Sequence, residues 1–225
     1  MLKLRSIREK SRGINIPEPK AAITGRKNNP IDSGQCLVTV AGVEPKVGTT
    51  HLALSLGCKA RDRDINCAVI LPSHSFEALK KYYVLTVREE PRCADNEPRQ
   101  FADLSGLSIM SGVLPGDLEG YQLLIWDCGS LPQGQRRFAS GDLRCLVSGG
   151  QPWELLPLNE VLMNLDYEGL RTYAICVRGA AEHDIDHLRQ QMAGRVPFIT
   201  IMHKPEWGEV KLREDLLAIL RLAGH

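Results

Sequence analysis

The chain has 225 residues, of which 43% are hydrophobic and 24% charged, and its formal net charge is +1. That length suits one sizeable α/β domain, and the near-neutral balance creates no whole-molecule field that would demand nucleic acid or a membrane. No apolar run approaches the roughly 18–20 residues that span a bilayer, and the basic N-terminus lacks the apolar region of a secretory signal, so the expected location is cytoplasmic.

Residues 1–34 are rich in Lys, Arg, Pro, Gly and Asn and show no sustained period. They are expected to form a basic, largely irregular N-terminal arm. Met1, Leu2, Leu4 and Ile7 could form the apolar side of a short helix. A solvated tail, an arm packed on a partner, and contact with a membrane or nucleic acid all stay open there. Residues 35–225 are expected to make one domain.

From Gln35 the pattern is regular. "QCLVTVA" predicts a buried strand, "THLALSLGCKARD" a helix, "NCAVILP" a strand and "SFEALKKYYVL" a helix. "REEPRCADNEPRQ" reads as a polar surface loop. "LSIMSG" and "YQLLIWD" follow as strands, then "RCLVSGG" (strand), "PWELLPLNEVLMNL" (helix) and "TYAICVRG" (strand). The last elements are "EHDIDHLRQQMA" (helix), "PFITIM" (strand) and "EVKLREDLLAILRLA" (helix). Strands alternating with helices predict a doubly wound, mostly parallel sheet covered on both faces. Ligands on such sheets bind beyond the strand C-termini.

The seven cysteines, Cys36, Cys58, Cys67, Cys93, Cys128, Cys145 and Cys176, include no C-x-x-C pair. Cys36, Cys67, Cys145 and Cys176 lie in or beside apolar strand runs, where cysteine acts as a small buried hydrophobe. A reduced, structural role is expected.

Between the first strand and its helix lies "GVEPKVGTT". A loop in this position points backbone N–H groups and a helix N-terminus at an anion. In the P-loop pattern G-x-x-x-x-G-K-[ST], the lysine neutralises phosphate and the hydroxyl ligates Mg²⁺. Alignment on Gly48 puts Val43 at the first glycine, Thr49 at the lysine and Thr50 at the metal-binding hydroxyl. Gly48 and Thr50 are therefore the motif's surviving anchors, and the lysine is missing. Lys46 lies three residues before Thr49, and its long flexible stem makes it either a substitute cation or a solvated loop charge. Val47 and His51 flank the anchors, so Lys46, Val47, Gly48, Thr49, Thr50 and His51 form the candidate phosphate-binding set.

The segment "VTVAGVEPKVGTTHLALSLG" resembles the deviant phosphate-binding loop of the MinD/ParA family, whose usual form is KGGVGKTT followed by a helix. It is most similar to members in which "GVGTTHLA" or "GVGAST" replaces the lysine-bearing stretch, as in the CpaE/TadZ-like pilus-localisation ATPases. "YQLLIWDCGS" resembles the family's strand ending in D-x-G or D-x-P, and the likeness continues in "FASGDLRCLVSGGQPWEL". The resemblance implies a P-loop NTPase-like fold over residues 35–222, ATP or ADP with Mg²⁺ as cofactor, and Thr50 and Asp127 at the metal. It also implies a base pocket formed by His203, Lys204 and Pro205 after the strand "FITIM". Protein partners and a homodimer are expected on the same ground.

The departures from the family pattern fall at the chemistry. The family's signature lysine falls on Glu44, and the strand that should end in a water-orienting aspartate offers Pro72, Ser73 and His74. Phosphoryl transfer needs positioning and neutralised charge, so an efficient ATPase is not expected. Arg136, Arg137 and Arg178 could compensate only in principle, and nothing in the sequence chooses among them. Three readings follow: a nucleotide-binding switch acting as a regulatory or localisation scaffold, an interaction protein with an empty loop, and a slow ATPase completed by a second subunit.

Other constellations are weaker. His183 and His187 are four apart, with Asp184 and Asp186 nearby, but zinc generally needs three or four ligands and no further one is evident. A polar helix start explains them equally well. Trp153 is expected to open a helix after Pro152, Trp207 sits in a polar stretch, and Trp126 reads as packing or an interface rather than a cofactor stack.

Overall fold

The computed structural model describes residues 35–87, 92–93, 100–102, 107–112, 118–164, 173–179, 186, 190, 197–201 and 214–224. The N-terminal arm, the base-pocket segment His203–Lys204–Pro205, Trp207, and the pair His183 and His187 lie outside them.

The strands are β1 (Cys36–Gly42), β2 (Cys67–Leu71), β3 (Arg92–Cys93), β4 (Gln100–Ala102), β5 (Ser108–Ser111), β6 (Leu123–Ser130), β7 (Leu143–Gly149), β8 (Tyr173–Arg178) and β9 (Phe198–Ile201). The helices are α1 (Thr49–Arg61), α2 (Ser73–Val87), α3 (Leu131–Phe138), α4 (Pro152–Met163) and α5 (Glu214–Leu222). One sheet runs in the order β3-β4-β5-β2-β6-β1-β7-β8-β9. Every pairing from β5 to β9 is parallel, while β3–β4 and β4–β5 are antiparallel. The expected doubly wound sheet is therefore present, and strand order reverses around β1, where β6 lies on one side and β7 on the other.

Period-2 alternation sorts the strand side chains onto the two faces. Val38, Val40, Ile125, Val147, Ala174 and Cys176 pack with Leu52 and Leu56 of α1, Phe76 of α2 and Ile219 of α5. Ala41, Cys128, Leu146, Ile175 and Val177 pack instead with Phe138 of α3 and Leu158 and Leu162 of α4. β1, β2, β6, β7 and β8 are largely buried on both faces, which is why they read in the sequence as near-continuous apolar runs.

Two segments differ from expectation. The stretch read as a polar loop contains β3 and the first residue of β4, Gln100; the two strands extend the β5 edge in antiparallel fashion. β4 is placed by pairing with β5 and β3 by pairing with β4, causes that composition does not carry. The second is α3, which sequence periodicity did not suggest. "LPQGQRRF" carries a glycine, yet Gly134 packs so close to β6 that a Cβ there would meet the Cys128 carbonyl oxygen. Close packing on the sheet outweighs the weak helix propensity of the segment.

Candidate functional site

The loop after β1 folds back on its own strand. A Cβ on Gly42 would stand 2.5 Å from Val47 Cγ2 and 2.6 Å from the Glu44 carbonyl oxygen, so the return of the chain requires glycine there. Val47 is buried by this contact, whereas Glu44, Pro45 and Lys46 are exposed at the tip. The Val43 amide donates to the Val147 carbonyl at 2.9 Å, which ties the loop to β7. Val43 was aligned with the motif's first glycine, but the position where backbone approach excludes a side chain is Gly42.

Gly48 caps α1 with φ +102°, a conformation that an L side chain resists. No side chain caps this helix end and no acidic residue occupies its first turn. The amides of such a helix start favour an anion. Thr49, Thr50 and His51 form the first turn and are half-buried.

Thr50 and Asp127 were the expected metal pair, and the structure brings them together. The Thr50 hydroxyl donates to Asp127 Oδ2 at 2.5 Å, and the Gly129 amide donates to Asp127 Oδ1 at 2.9 Å. Asp127 is 1% exposed. Burial pushes its carboxyl above the ordinary carboxylate range, opposed by hydrogen bonds from Thr50, the Gly129 backbone and the Thr49 side chain and by the charge of His74. A hydroxyl and a carboxylate are hard oxygen donors of the kind Mg²⁺ takes alongside phosphate and water. The pair fits that ion, with Asp127 and Thr50 as its holders; a bound Mg²⁺ would neutralise phosphate charge.

Sequence reasoning missed Ser75. The helix α2 begins at Ser73, so "SHS" is its first turn rather than a strand end, and Ser75 Oγ lies 3.4 Å from Thr50 Oγ1. No carboxylate among these residues takes the place of the family's water-orienting aspartate.

Arg136 is exposed on α3, and the other two arginines separate. Arg137 stands 6.0 Å from the Trp126 ring centre, a cation–π arrangement on the α3 face. Trp126 itself is half-buried against the apolar clusters, as packing predicts. Trp126 and Arg137 line a pocket of about 150 Å³ with Ile70, Leu71, Pro72, Ser73 and Gly112, well below the roughly 300–1,000 Å³ of small-molecule sites. Arg178, by contrast, ends β8 and comes to the loop. A Cβ on Gly48 would stand 3.2 Å from Arg178 Nη1 and 3.8 Å from its Cδ. Lys46 is exposed, with φ +67°. Among the described residues no cluster of His, Cys, Asp or Glu could hold a metal by itself, and no helix is long and apolar enough to cross a membrane.

No family model matches the sequence, and no curated protein is similar to it. Solved structures are similar. The MinD cell division protein of Aquifex aeolicus superposes with a TM-score of 0.60 at 13% identity, over 84% of this chain and 97% of that one. A plasmid partition protein of Borrelia burgdorferi bound to AMPPNP gives 0.56 at 12% identity, over 83% and 98%. The septum site-determining protein MinD of Pyrococcus horikoshii, complexed with Mg-ADP, gives 0.53 at 17% identity, over 82% and 85%. At these identities the likeness is one of fold: this chain carries the P-loop-type α/β fold of MinD and plasmid partition proteins.

Proposed function

We propose that this chain binds ATP or ADP with Mg²⁺ at the loop after β1 and works as a regulatory or localisation scaffold, with weak or absent hydrolysis. The observation that carries this reading is the Thr50–Asp127 pair at the start of α1, beside the uncapped amides that follow Gly48. Two similar folds hold nucleotide, AMPPNP in one and Mg-ADP in the other. The catalytic side is thin: Thr49 stands where a lysine would neutralise phosphate, Glu44 replaces the signature lysine, and β2 runs into Pro72 and Ser73 without a carboxylate. Binding survives such losses better than turnover, because hydrolysis depends on charge neutralised in the transition state.

Within the MinD/ParA kind, the CpaE/TadZ-like proteins are the proposed nearest group, on the strength of "GVGTTHLA"-type loops. Protein partners, a homodimer and a cytoplasmic location belong to the same proposal, with residues 1–34 as a basic, largely irregular arm. Titration calorimetry of the full chain with ATP or ADP, with and without Mg²⁺, tests it. Saturable heat with little phosphate release is the expected result. An absence of heat at millimolar nucleotide would favour the empty-loop interaction protein. Robust phosphate release that Thr50→Ala abolishes would favour the slow ATPase.

A further inference from the structure

We infer that Arg178 is the cation that faces the phosphate chain of a nucleotide held at Gly48–Thr50, taking the place of the lysine that the loop lacks. The inference rests on the nucleotide-binding reading above and names a residue for it.

Four observations converge. Arg178 lies two residues after Cys176 and four after Ala174, both of which pack on the α1 face, so alternation sends its side chain to that face. It then lies along the loop, with Nη1, Cδ and Cζ at 3.2, 3.8 and 3.9 Å from the position of a Cβ on Gly48. The strand between β8 and β1 is β7, whose last residue, Gly149, lies directly opposite Arg178 and brings no side chain of its own, the Glu154 carboxylate taking the space a Cβ there would fill. Finally, among the described residues no carboxylate forms an ion pair with Arg178.

The competing cation is less well placed. Lys46 sits exposed at the tip of the turn, in a left-handed conformation. Thr49, at the lysine position, directs its side chain to Asp127. A guanidinium offers a planar fork of donors matched to phosphate oxygens. It would add charge to the amides at the α1 start, which contribute only a partial charge of roughly half a unit.

Calorimetric binding by the full-length protein, with Mg-ATP and with Mg-tripolyphosphate as probes, tests the inference. Arg178→Met is expected to weaken both about 10- to 100-fold, the loss that removing one charged hydrogen bond brings. Arg178→Lys should lie between, and Lys46→Met should change either by less than about threefold, the scale of an exposed charge. Arg137→Met is the control for overall charge and should bind as the parent does.

If the parent binds and Arg178→Met binds equally well, the inference falls while the nucleotide reading stands. If the parent binds neither probe, both fall. A loss confined to Mg-ATP, with tripolyphosphate unaffected, also overturns the inference, because it would tie Arg178 to the nucleoside and not to the phosphate chain. Should Arg178→Met fail to fold, Arg178→Lys carries the test, and unchanged affinity there overturns the inference.

Discussion

The Thr50 hydroxyl reaches Asp127 Oδ2 at 2.5 Å across 77 positions of sequence, and this bond joins the first turn of α1 to the end of β6. Asp127 is nearly inaccessible and its carboxyl is held above the ordinary range by burial. A carboxyl whose folded pKa exceeds its unfolded value of about 3.9 adds stability that is complete below the unfolded value. That stability is lost as pH rises through the folded pKa. Without nucleotide, Asp127→Asn should therefore melt higher than the parent at pH 7, and the two should converge below about pH 4. Thermal melts followed by circular dichroism across that range check it. A lower melting temperature for the variant at pH 7 would mean that the carboxylate's hydrogen bonds outweigh its burial.

Gly42 is a steric requirement of the loop. Gly42→Ala places a methyl group within 2.5 Å of Val47 Cγ2 and 2.6 Å of the Glu44 carbonyl oxygen. Overpacking of this kind costs about 1–3 kcal/mol. Adding Val47→Ala relieves only the side-chain contact, so the double variant should recover part of the loss and not all of it. Urea unfolding of the three variants gives the comparison, and full recovery would show that the backbone contact adjusts freely.

Lys46 holds φ +67° without being glycine. The left-handed region costs a residue with a Cβ roughly 1–2 kcal/mol, partly offset by the chain entropy that glycine loses on folding. Lys46→Gly should stabilise the protein by up to about 1 kcal/mol, and Lys46→Ala should gain nothing comparable. Equal effects of the two in chemical denaturation would indicate that the lysine side chain, rather than its backbone, sets the energy.

The thiols should be silent while the protein is folded. Burial pushes Cys128 up to about 12 and Cys36 up to about 11. Cys145 is raised well above its ordinary value, first by its hydrogen bond with Cys176 and then by burial. Thiolate, not thiol, is the reactive form. Alkylation at pH 8, read peptide by peptide, should therefore modify the buried Cys128 and Cys145 only at the rate of unfolding, and the half-buried Cys36 slowly. Rapid modification of Cys145 in the native state would contradict its burial between β7 and β8.

The sequence made the parallel core legible because strands covered on both faces announce themselves as apolar runs, as "CAVIL" in β2 and "LLIW" in β6 do. Helices α1, α2, α4 and α5 were equally plain from their periodicity. What stayed hidden has non-local causes. β4 is placed by β5 and β3 by β4, and α3 is held by the approach of Gly134 to Cys128. At the site, Gly48, Thr50 and Asp127 were legible as motif positions. Gly42 was not, because nothing local says that Val47 returns against it. Ser75 was hidden by placing the start of α2 too late. Arg178 stood among three equivalent arginines until strand order put β8 two places from β1.

That strand order has a consequence for assembly. The loop at Gly48 and the arginine lying against it come from opposite ends of the domain's sequence, joined only when β7 and β8 have docked beside β1. During synthesis from the N-terminus, the chain carries the loop long before it carries Arg178. A nucleotide that needs both would therefore bind late, and would draw the equilibrium toward the fully docked sheet by mass action. Ligand binding would then report that the C-terminal half is in place, and a partner sensing the occupied loop would also be sensing completed folding.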